Sequence, residues 1–313
     1  MPPHRLNLHT ELADVPSPRT VPWSAFNKKE MVTWRSCHAT LLADAERYEN
    51  SAGRPRLVLF GDSITESWRG TSYGKAVPRT NGVPAVMAAT LAARFPPAPL
   101  PLGIAADCTQ HLLWRMRRGE LSAGMQADPQ LTAVLLIGTN NLGRGHSVEE
   151  TIRGVVACAH HLLNSTRGSL LVNALLPRGD KRKRGRGKGR HFLSEIAAVN
   201  QALLNGSARS SLEAAFPRRV HVVDCGAPFL APGVAMAGAG GAADSSSSSN
   251  AASPSAVAPS SHGATGVGPA GAAAVELVQR TLMPDRLHPN AAGHRLWAAC
   301  LEGALGRMPP RRQ

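Results

Sequence analysis

Residues 56–66 spell Arg-Leu-Val-Leu-Phe-Gly-Asp-Ser-Ile-Thr-Glu, an apolar run that ends in a short polar turn. The run predicts a buried strand, and the residues after Gly61 favour a tight turn followed by a helix. Ser63 would then lie at the carboxyl end of the strand, with its backbone N–H at the positive end of the helix. A serine nucleophile is expected at such a point, although small polar residues also occupy turns for purely local reasons.

The rest of the chain alternates apolar runs with helical patterns. The runs predict five strands, at 57–60, 100–104, 133–137, 170–174 and 220–224. The helical patterns lie at 30–46, 86–94, 109–118, 148–164, 192–207 and 291–305. Nearly continuous apolar strands are typical of parallel strands covered on both faces. The alternation predicts an α/β fold, a three-layer α/β/α sandwich around a five-stranded parallel sheet. Ligands of such sheets lie beyond the carboxyl ends of the strands.

The composition is that of a globular chain, with 43% of its 313 residues hydrophobic, enough for one full core. No stretch has the length and apolar character of a membrane span, and residues 1–20 lack the apolar segment of a secretory signal. The five cysteines are scattered without a CxxC pair. This favours buried thiols in a reducing compartment over a disulfide framework or a zinc site. We therefore expect a cytoplasmic protein.

Two segments interrupt the pattern of strands and helices. Residues 179–190 are rich in Gly, Lys and Arg, and residues 231–274 form an Ala/Gly/Ser/Pro tract. We expect the tract to be a disordered loop, because it has too few large apolar residues to offset its ordering entropy. The chain is thus predicted to consist of an irregular arm at 1–29, one domain at 30–306 that contains both insertions, and a basic tail at 307–313.

The formal net charge of +14 is concentrated in the first insertion. Seven positive side chains lie within 181–190, so the remaining chain carries +7. A solvated loop is the simplest interpretation, and a nuclear-import signal or a nucleic-acid tether are the alternatives. The run contains no aromatic residue for base stacking, which argues against sequence-specific RNA recognition. Nucleic acid is therefore not an expected partner.

Three residues beyond Ser63 carry candidate chemistry. Asp285 and His288 precede the last predicted helix, and their spacing lets the carboxylate accept the Nδ1–H of the imidazole, which leaves Nε2 to take a proton from a serine. Asn140 ends the Gly-Thr-Asn turn after the third predicted strand, where its amide can donate to an oxyanion. The alternatives are a helix cap with a surface histidine, and an Asx turn. Because the chain also contains the Gly-Asp-Ser turn, we favour the catalytic interpretation of these residues over the alternatives.

The ordered set of motifs resembles the SGNH (GDSL-type) hydrolases, with the blocks at 61–63, 103–107, 138–140 and 285–288. Further blocks are similar to the catalytic subunits of platelet-activating factor acetylhydrolase IB, at 107–116, 119–121, 138–141 and 175–179. The resemblance extends over about residues 30–305 apart from the insertions. It implies a flavodoxin-like sheet and a serine esterase that needs no metal or other cofactor.

Residue roles follow from the resemblance by position. It makes Ser63 the nucleophile, His288 the general base and then acid, and Asp285 the carboxylate that orients it. The implied oxyanion donors are the Ser63 N–H, the Asn140 side chain and the N–H of Ala106. The family has Gly-Gly-Asp where this chain has Ala-Ala-Asp at 105–107. If the glycine before the aspartate uses a positive φ, Ala106 is strained or the donor moves. We therefore expect an active but slow enzyme.

Three neighbours of these residues predict a small acyl pocket. If Ile64, Thr139 and Leu287 face the acyl group, little more than an acetyl group fits; the alternative is that Ile64 and Leu287 pack into the core. The expected substrate is a short-chain ester of a phospholipid or another small acylated molecule. The alternative functions are a carbohydrate O-acetyl esterase and a catalytically weak interaction subunit. The resemblance also implies a homodimer and a β-propeller regulatory partner. No histidine shows metal-ligand spacing, so no metal is expected.

Overall fold

The computed structural model describes residues 11–20, 29–50, 56–179, 192–234 and 277–309. Residues 180–190 of the basic insertion and 235–274 of the Ala/Gly/Ser/Pro tract lie outside the described residues, as do 310–313 of the tail. The division of the chain into arm, domain and tail therefore stays a prediction.

Five parallel strands form the predicted sheet, and each lies within one residue of its predicted bounds. They are β1 (Leu57–Gly61), β2 (Leu100–Gly103), β3 (Thr132–Leu136), β4 (Ser169–Asn173) and β5 (Val220–Val223). Their order in the sheet is β2-β1-β3-β4-β5, the flavodoxin-like order. All residues of β1 and β4 are buried, as expected for strands covered on both faces. The predicted α/β fold is confirmed.

The register aligns large apolar side chains across the sheet. Leu59 of β1 pairs with Val134 of β3, which pairs with Leu171 of β4, and all three are buried. Because neighbouring strands are parallel and in this register, their carboxyl ends finish along one edge. The strand order reverses between β1 and β3, and ligands of such sheets bind in the crevice at that point. Ser63 follows β1 and Asn140 follows β3, so the fold places both beside the crevice.

Helices connect the strands. They are α1 (Lys29–Asn50), α2 (Ser63–Glu66), α3 (Val83–Ala89), α4 (Leu91–Arg94), α5 (Thr109–Arg115), α6 (Ala123–Ala127), α7 (Thr139–Arg144), α8 (Val148–Ser165), α9 (Leu193–Leu204), α10 (Ser207–Ala215) and α11 (Ala291–Gly306). Short 3₁₀ turns lie at Ser67–Arg69, Pro78–Thr80 and Ala227–Phe229, and a hairpin pairs Thr71–Ser72 with Lys75–Ala76.

Two predicted helices differ in detail from the structure. The helix predicted over 86–94 begins earlier, at Val83, and is interrupted at Thr90, whose φ and ψ are −123° and −101°. The earlier start follows from Gly82, which has a φ of +78°, and from the proline in the first turn, a residue well suited to that position. The helix predicted over 109–118 ends at Arg115 and continues as a π-helical turn, Met116–Glu120.

The expectation that all cysteines are free thiols is wrong for two of them. Cys225, just after β5, forms a disulfide with Cys300 of α11, 75 residues away in sequence. Cys37, Cys108 and Cys158 are free and buried. Spacing along the chain did not reveal the pair, because only the fold brings the end of β5 against α11. The cysteines consequently no longer support a reducing compartment, and the cytoplasmic location stays a prediction.

None of the helices in the described ranges combines the length and apolar character needed to cross a bilayer.

Candidate active site

The Gly-Asp-Ser turn places Ser63 where the sequence predicts it. β1 ends at Gly61, Asp62 caps α2 by accepting a hydrogen bond from Ile64 N–H at 2.9 Å, and Ser63 is the first residue of that helix. Gly61 is required because a Cβ there would lie 2.5 Å from the backbone oxygen of Leu136. The Ser63 Oγ lies 2.8 Å from Nε2 of His288, although the two residues are 225 positions apart in sequence.

Asp285 holds His288 through two hydrogen bonds and Leu287 through a third. Its Oδ2 accepts from Nδ1 of His288 at 2.7 Å, and its Oδ1 accepts from the backbone N–H groups of Leu287 and His288 at 3.0 and 2.8 Å. Between them, Arg286 has a φ of +65°, an uncommon conformation for a residue other than glycine. Nδ1 therefore donates to the carboxylate, and Nε2 faces Ser63 as an acceptor.

The electrostatics of this pair suit a neutral base beside a charged carboxylate. Burial raises the pKa of Asp285, but the hydrogen bonds from His288 and from two backbone N–H groups outweigh it and bring the pKa below its usual range. Burial lowers the pKa of His288, and the nearby positive charges of Arg79 and Arg178 lower it further against the opposing effect of Asp285. The imidazole is thus neutral at a lower pH than an exposed histidine.

Asn140 lies beside the serine turn, buried after β3. Its Nδ2 donates to the backbone oxygen of Asp107 at 2.9 Å and to Oδ2 of Asp62 at 3.2 Å. These two contacts tie the amide to the serine turn and to the loop after β2. A substrate oxyanion would have to compete with one of them for an N–H of the amide. The proposed role of Asn140 as an oxyanion donor stays a prediction.

Burial changes the protonation of Asp62. The desolvation of this fully buried carboxyl raises its pKa to about 7, although the hydrogen bond from Ile64 N–H opposes the shift. A carboxyl with a raised pKa in the folded state loses its contribution to stability as the pH rises through that pKa. The contribution of Asp62 to the free energy of unfolding is therefore expected to decrease as the pH rises towards 7.

Ala106, which stands where the family has glycine, has the positive φ that the sequence analysis raised as a source of strain. Ile104 O accepts a hydrogen bond from Asp107 N at 3.3 Å, which closes a turn over 104–107. Ala106, the third residue of the turn, has a φ of +63°. An alanine in this left-handed region carries strain of about 1–2 kcal/mol relative to glycine. The N–H that the resemblance assigns to the oxyanion hole therefore belongs to a strained residue.

The three predicted acyl-pocket residues have different environments. Ile64 is 2% exposed and packs in the main hydrophobic core, as the alternative interpretation expected. Thr139 is also buried, and its backbone oxygen accepts a hydrogen bond from Nη1 of Arg178 at 2.6 Å. Leu287 is half-buried next to His288. The acyl pocket as such stays a prediction.

A buried charge network lies behind the turn at 104–107. Oδ1 of Asp107 accepts from Trp34 Nε1 at 2.6 Å, and Oδ2 accepts from Arg115 Nε at 2.7 Å. Arg115 also forms an ion pair with Glu120. Oε1 of Glu120 lies within hydrogen-bond distance, 2.7 Å, of Nδ1 of His38. These contacts engage both carboxylate oxygens of Asp107, while its backbone oxygen accepts the hydrogen bond from Asn140.

Three arginines near the site were missed by the sequence analysis. Arg79, on the 3₁₀ turn after the hairpin, donates to Ser67 Oγ at 2.9 Å, and Arg178 stacks over Phe192 at 4.7 Å. Arg19, in the segment 11–20, donates to Ala105 O at 3.1 Å. The available signal for Arg178 was its place in the stretch 175–179, which resembles the acetylhydrolase subunits. Nothing in the local sequence around Arg79 or Arg19 indicates a place at the site.

Metal-ligand clusters are absent from the part of the chain that the structure describes: no group of three or more His, Cys, Asp or Glu side chains is arranged to hold an ion.

Comparisons with known proteins place the chain among acylhydrolases. The family model described as "GDSL-like Lipase/Acylhydrolase family" matches residues 59–296, a range that contains Ser63, Asn140 and His288. Platelet-activating factor acetylhydrolase IB subunit alpha1 of Bos taurus is 30% identical over 191 residues, which cover 60% of this chain and 68% of the relative. The subunit beta homolog of Drosophila melanogaster is 28% identical over 172 residues, covering 54% and 64%.

Among solved structures, a GDSL-like lipase from Bacteroides thetaiotaomicron is similar to 86% of this chain over 98% of its own length, with 16% sequence identity and a TM-score of 0.47.

Proposed function

Since the chain belongs to the GDSL-like lipase/acylhydrolase family, we propose that it cleaves short-chain, acetyl-like esters through an acyl-enzyme intermediate on Ser63. Carboxylic ester hydrolysis is the activity of the family; the acyl length, the intermediate and the residue roles are our proposal. The observation that carries it is the continuous hydrogen-bonded series Ser63 Oγ, His288 and Asp285, with distances of 2.8 and 2.7 Å.

In the first half-reaction, Ser63 Oγ attacks the ester carbonyl carbon while its proton moves to Nε2 of His288. Asp285 keeps the imidazole in the required tautomer and stabilises the imidazolium. The carbonyl oxygen becomes an oxyanion, for which the Ser63 N–H, the Ala106 N–H and the Asn140 amide are the donors. The intermediate collapses as the ester C–O bond breaks, and the leaving alcohol takes the proton from His288.

In the second half-reaction, water takes the place of the alcohol. His288, neutral again, accepts a proton from the water as its oxygen attacks the acyl carbon. The second tetrahedral intermediate collapses, the bond to Ser63 Oγ breaks, and the serine recovers its proton from His288. The carboxylic acid leaves, and the enzyme returns to its starting state.

The acyl length is argued from the site and from the relatives. Thr139, which is buried, directly precedes Asn140, and Leu287, which is half-buried, directly precedes His288; we propose that both border the acyl group. The relatives at 27–30% identity are named acetylhydrolase subunits. Both observations support an acetyl or similarly short acyl group. A homodimer and a β-propeller partner remain predictions from the resemblance.

The test is a series of p-nitrophenyl esters from acetate to octanoate, with wild type, Ser63→Ala and the control Ser210→Ala. Ser210 is an exposed serine on α10, a helix that carries none of the proposed catalytic residues. We expect the rate to fall steeply with acyl length, Ser63→Ala to lose about 10³-fold or more, and Ser210→Ala to match wild type. Mass spectrometry of quenched wild type should find an acetyl group on the Ser63 peptide.

Each component can fail separately. A flat or rising chain-length profile overturns the short-acyl proposal, and undiminished activity of Ser63→Ala overturns the nucleophile. A wild type inactive on all esters favours the interaction subunit. If the wild type is active, its rates on an acetylated phospholipid and on an acetylated sugar show which of the two ester classes it prefers.

A further inference from the structure

The turn at 104–107 has a competing conformation that would remove an oxyanion donor. Of its two central residues, Ala105 and Ala106, only Ala106 has a positive φ, which is the pattern of a type II turn. Type I turns differ from it mainly in the orientation of the central peptide, and alanine adopts type I without strain. Rotating the Ala105–Ala106 peptide would therefore relieve Ala106, but it would turn the Ala106 N–H away from the crevice.

Arg19 contacts this peptide from the segment 11–20. It is 1% exposed, and its Nη1 donates to Ala105 O at 3.1 Å and to Tyr73 Oη at 3.0 Å. The Ala105 carbonyl and the Ala106 N–H belong to one planar trans peptide group, so they point in opposite directions. A donor that fixes the carbonyl on one side consequently fixes the N–H on the other.

We propose that Arg19 is a positioning residue that holds the Ala105–Ala106 peptide with its N–H towards the reacting carbonyl. The inference rests on the proposed function, since it concerns the oxyanion that Ser63 creates. Arg19 acts through the peptide and does not touch the substrate. The positive guanidinium, by donating to the carbonyl oxygen, also polarises the peptide group, which makes its N–H a stronger donor.

The preceding peptide is held from the opposite direction. Ala105 N–H donates to Oε2 of the buried Glu66 at 2.7 Å, and Oε1 of Glu66 accepts from Thr71 Oγ and Gly74 N. Glu66 thus fixes the entry to the turn but makes no contact with the Ala106 N–H in this set of bonds. The orientation of the next peptide depends on the Arg19 carbonyl contact.

The segment that carries Arg19 is anchored on the same side of the molecule. Thr109 Oγ donates to Ala13 O at 2.7 Å, and Nε2 of His111 pairs with Oε2 of Glu11 at 2.8 Å. Both partners belong to α5, the helix that follows the turn. The segment that carries Arg19 is therefore held at Glu11 and Ala13 by contacts that do not involve residues 104–107.

A double-mutant cycle between Arg19→Met and Ala106→Gly tests the proposal. Methionine keeps the unbranched apolar stem of arginine without any donor, and glycine adopts a positive φ without strain while it keeps the N–H. With p-nitrophenyl acetate, we expect Arg19→Met to lower kcat by about 10-fold or more, towards the 10²–10³ of a lost oxyanion donor, at nearly unchanged KM. In the Ala106→Gly background the loss should shrink to about threefold or less, because the turn holds without Arg19.

The control is Asp14→Asn, in the same segment. Asp14 is partly exposed and contacts Arg153 at 3.6 Å, away from the turn, so kcat should stay at the wild-type value. Arg19→Lys is the second variant. It retains a positive charge on a side chain one bond shorter, and we expect an intermediate kcat. Thermal unfolding establishes which variants fold, and Arg19→Lys takes the place of Arg19→Met in the cycle if the latter does not.

The outcomes separate this inference from the proposed function. Equal losses of kcat with and without the Ala106→Gly substitution, or a loss confined to KM, would mean that Arg19 only supports the fold, and the proposal falls. An Arg19→Met protein as active as wild type overturns it as well. If wild type and Ala106→Gly both hydrolyse no ester, the proposed function fails first and the inference with it.

Discussion

The two sides of the candidate site are built differently. The nucleophile side, Ser63, His288 and Asp285, is joined by side-chain hydrogen bonds of 2.7–2.8 Å, and Asp285 and His288 are neighbours on one turn. The oxyanion side, Ala106 and Asn140, has a strained φ of +63° at Ala106 and amide contacts from Asn140 to two other loops. The side chains of the first are indicated by short sequence motifs, whereas the orientation of the donors of the second depends on backbone conformation and on contacts between loops.

This difference indicates where function can vary while the fold stays the same. Substitution of a residue on the nucleophile side removes a reacting atom. On the oxyanion side, a donor can keep its chemistry and still lose its orientation, since a backbone N–H survives most substitutions. Substitutions on the nucleophile side are thus expected to abolish activity, whereas those on the oxyanion side should lower it by varying amounts.

The largest effect should come from the nucleophile side, with Asp285→Asn. The amide cannot stabilise the imidazolium, and it favours the wrong tautomer of His288, so we expect kcat to fall by about 10⁴-fold on p-nitrophenyl acetate. The backbone contacts to Leu287 and His288 use Oδ1, which asparagine can supply, so the thermal unfolding midpoint should change little. A loss below about tenfold would contradict the assignment of Asp285.

Asn140→Ala should produce the next largest effect. Loss of one oxyanion donor lowers kcat by about 10²–10³-fold with little change in KM. The matched control is the neighbouring Asn141, whose buried amide bonds Thr109 and Gln110 instead. Asn141→Ala is expected to lower thermal stability with a much smaller change in kcat. Similar losses of kcat in both variants would mean that Asn140 serves only the packing of the loops.

Much of the fold was predictable because its signals are local. Apolar runs bounded by turn residues located β1 to β5 within a residue, since parallel strands buried on both faces need nothing else. Short helices such as Ala123–Ala127 and Ser207–Ala215 were missed, because fewer than three turns show no clear periodicity. The disulfide between Cys225 and Cys300 depends on the docking of α11, which sequence spacing does not encode.

The candidate site divides in the same way. The sequence indicated Ser63, Asp285 and His288 through motifs of three or four residues, and the structure brings these side chains into contact. It also raised the question of a positive φ at Ala106, although only the structure provides the angle. Arg19 lies 86 positions from the carbonyl it contacts. No recognisable motif surrounds Arg19, so nothing in the sequence indicated this contact.

A substitution at Gly103 should lower stability, because this residue packs the oxyanion side against the nucleophile side. This glycine ends β2, directly before the turn at 104–107, and a Cβ would lie 2.6 Å from both Asp62 O and Glu66 N. Because both are backbone atoms of the Ser63 turn and helix, Gly103→Ala must push the oxyanion turn away from it. We expect the free energy of unfolding to fall by about 1–3 kcal/mol, measured by urea unfolding, and kcat to fall with it.

The control for Gly103 is Gly306, the last residue of α11, where a Cβ would meet nothing within 4 Å. Gly306→Ala should leave stability unchanged or raise it by up to about 1 kcal/mol, because alanine restricts the unfolded chain more than glycine does. If Gly103→Ala were as stable as Gly306→Ala, the close approach of β2 to the serine turn would not constrain the site.

The smallest expected effect is a change in pH dependence at Arg79. Burial lowers the pKa of His288, and the positive charges of Arg79 and Arg178 add to this, while Asp285 opposes it. Because His288 must be neutral to accept the Ser63 proton, kcat/KM falls as the pH drops through that pKa. Arg79→Met removes one cation, so the pKa of His288 rises and the acidic limb moves to higher pH. Arg79→Lys keeps the charge and should leave the limb near its wild-type position. An acidic limb that stays in place in Arg79→Met, with Arg79→Lys equal to it, would mean that solvent screens this charge and that burial alone sets the titration of the nucleophile side.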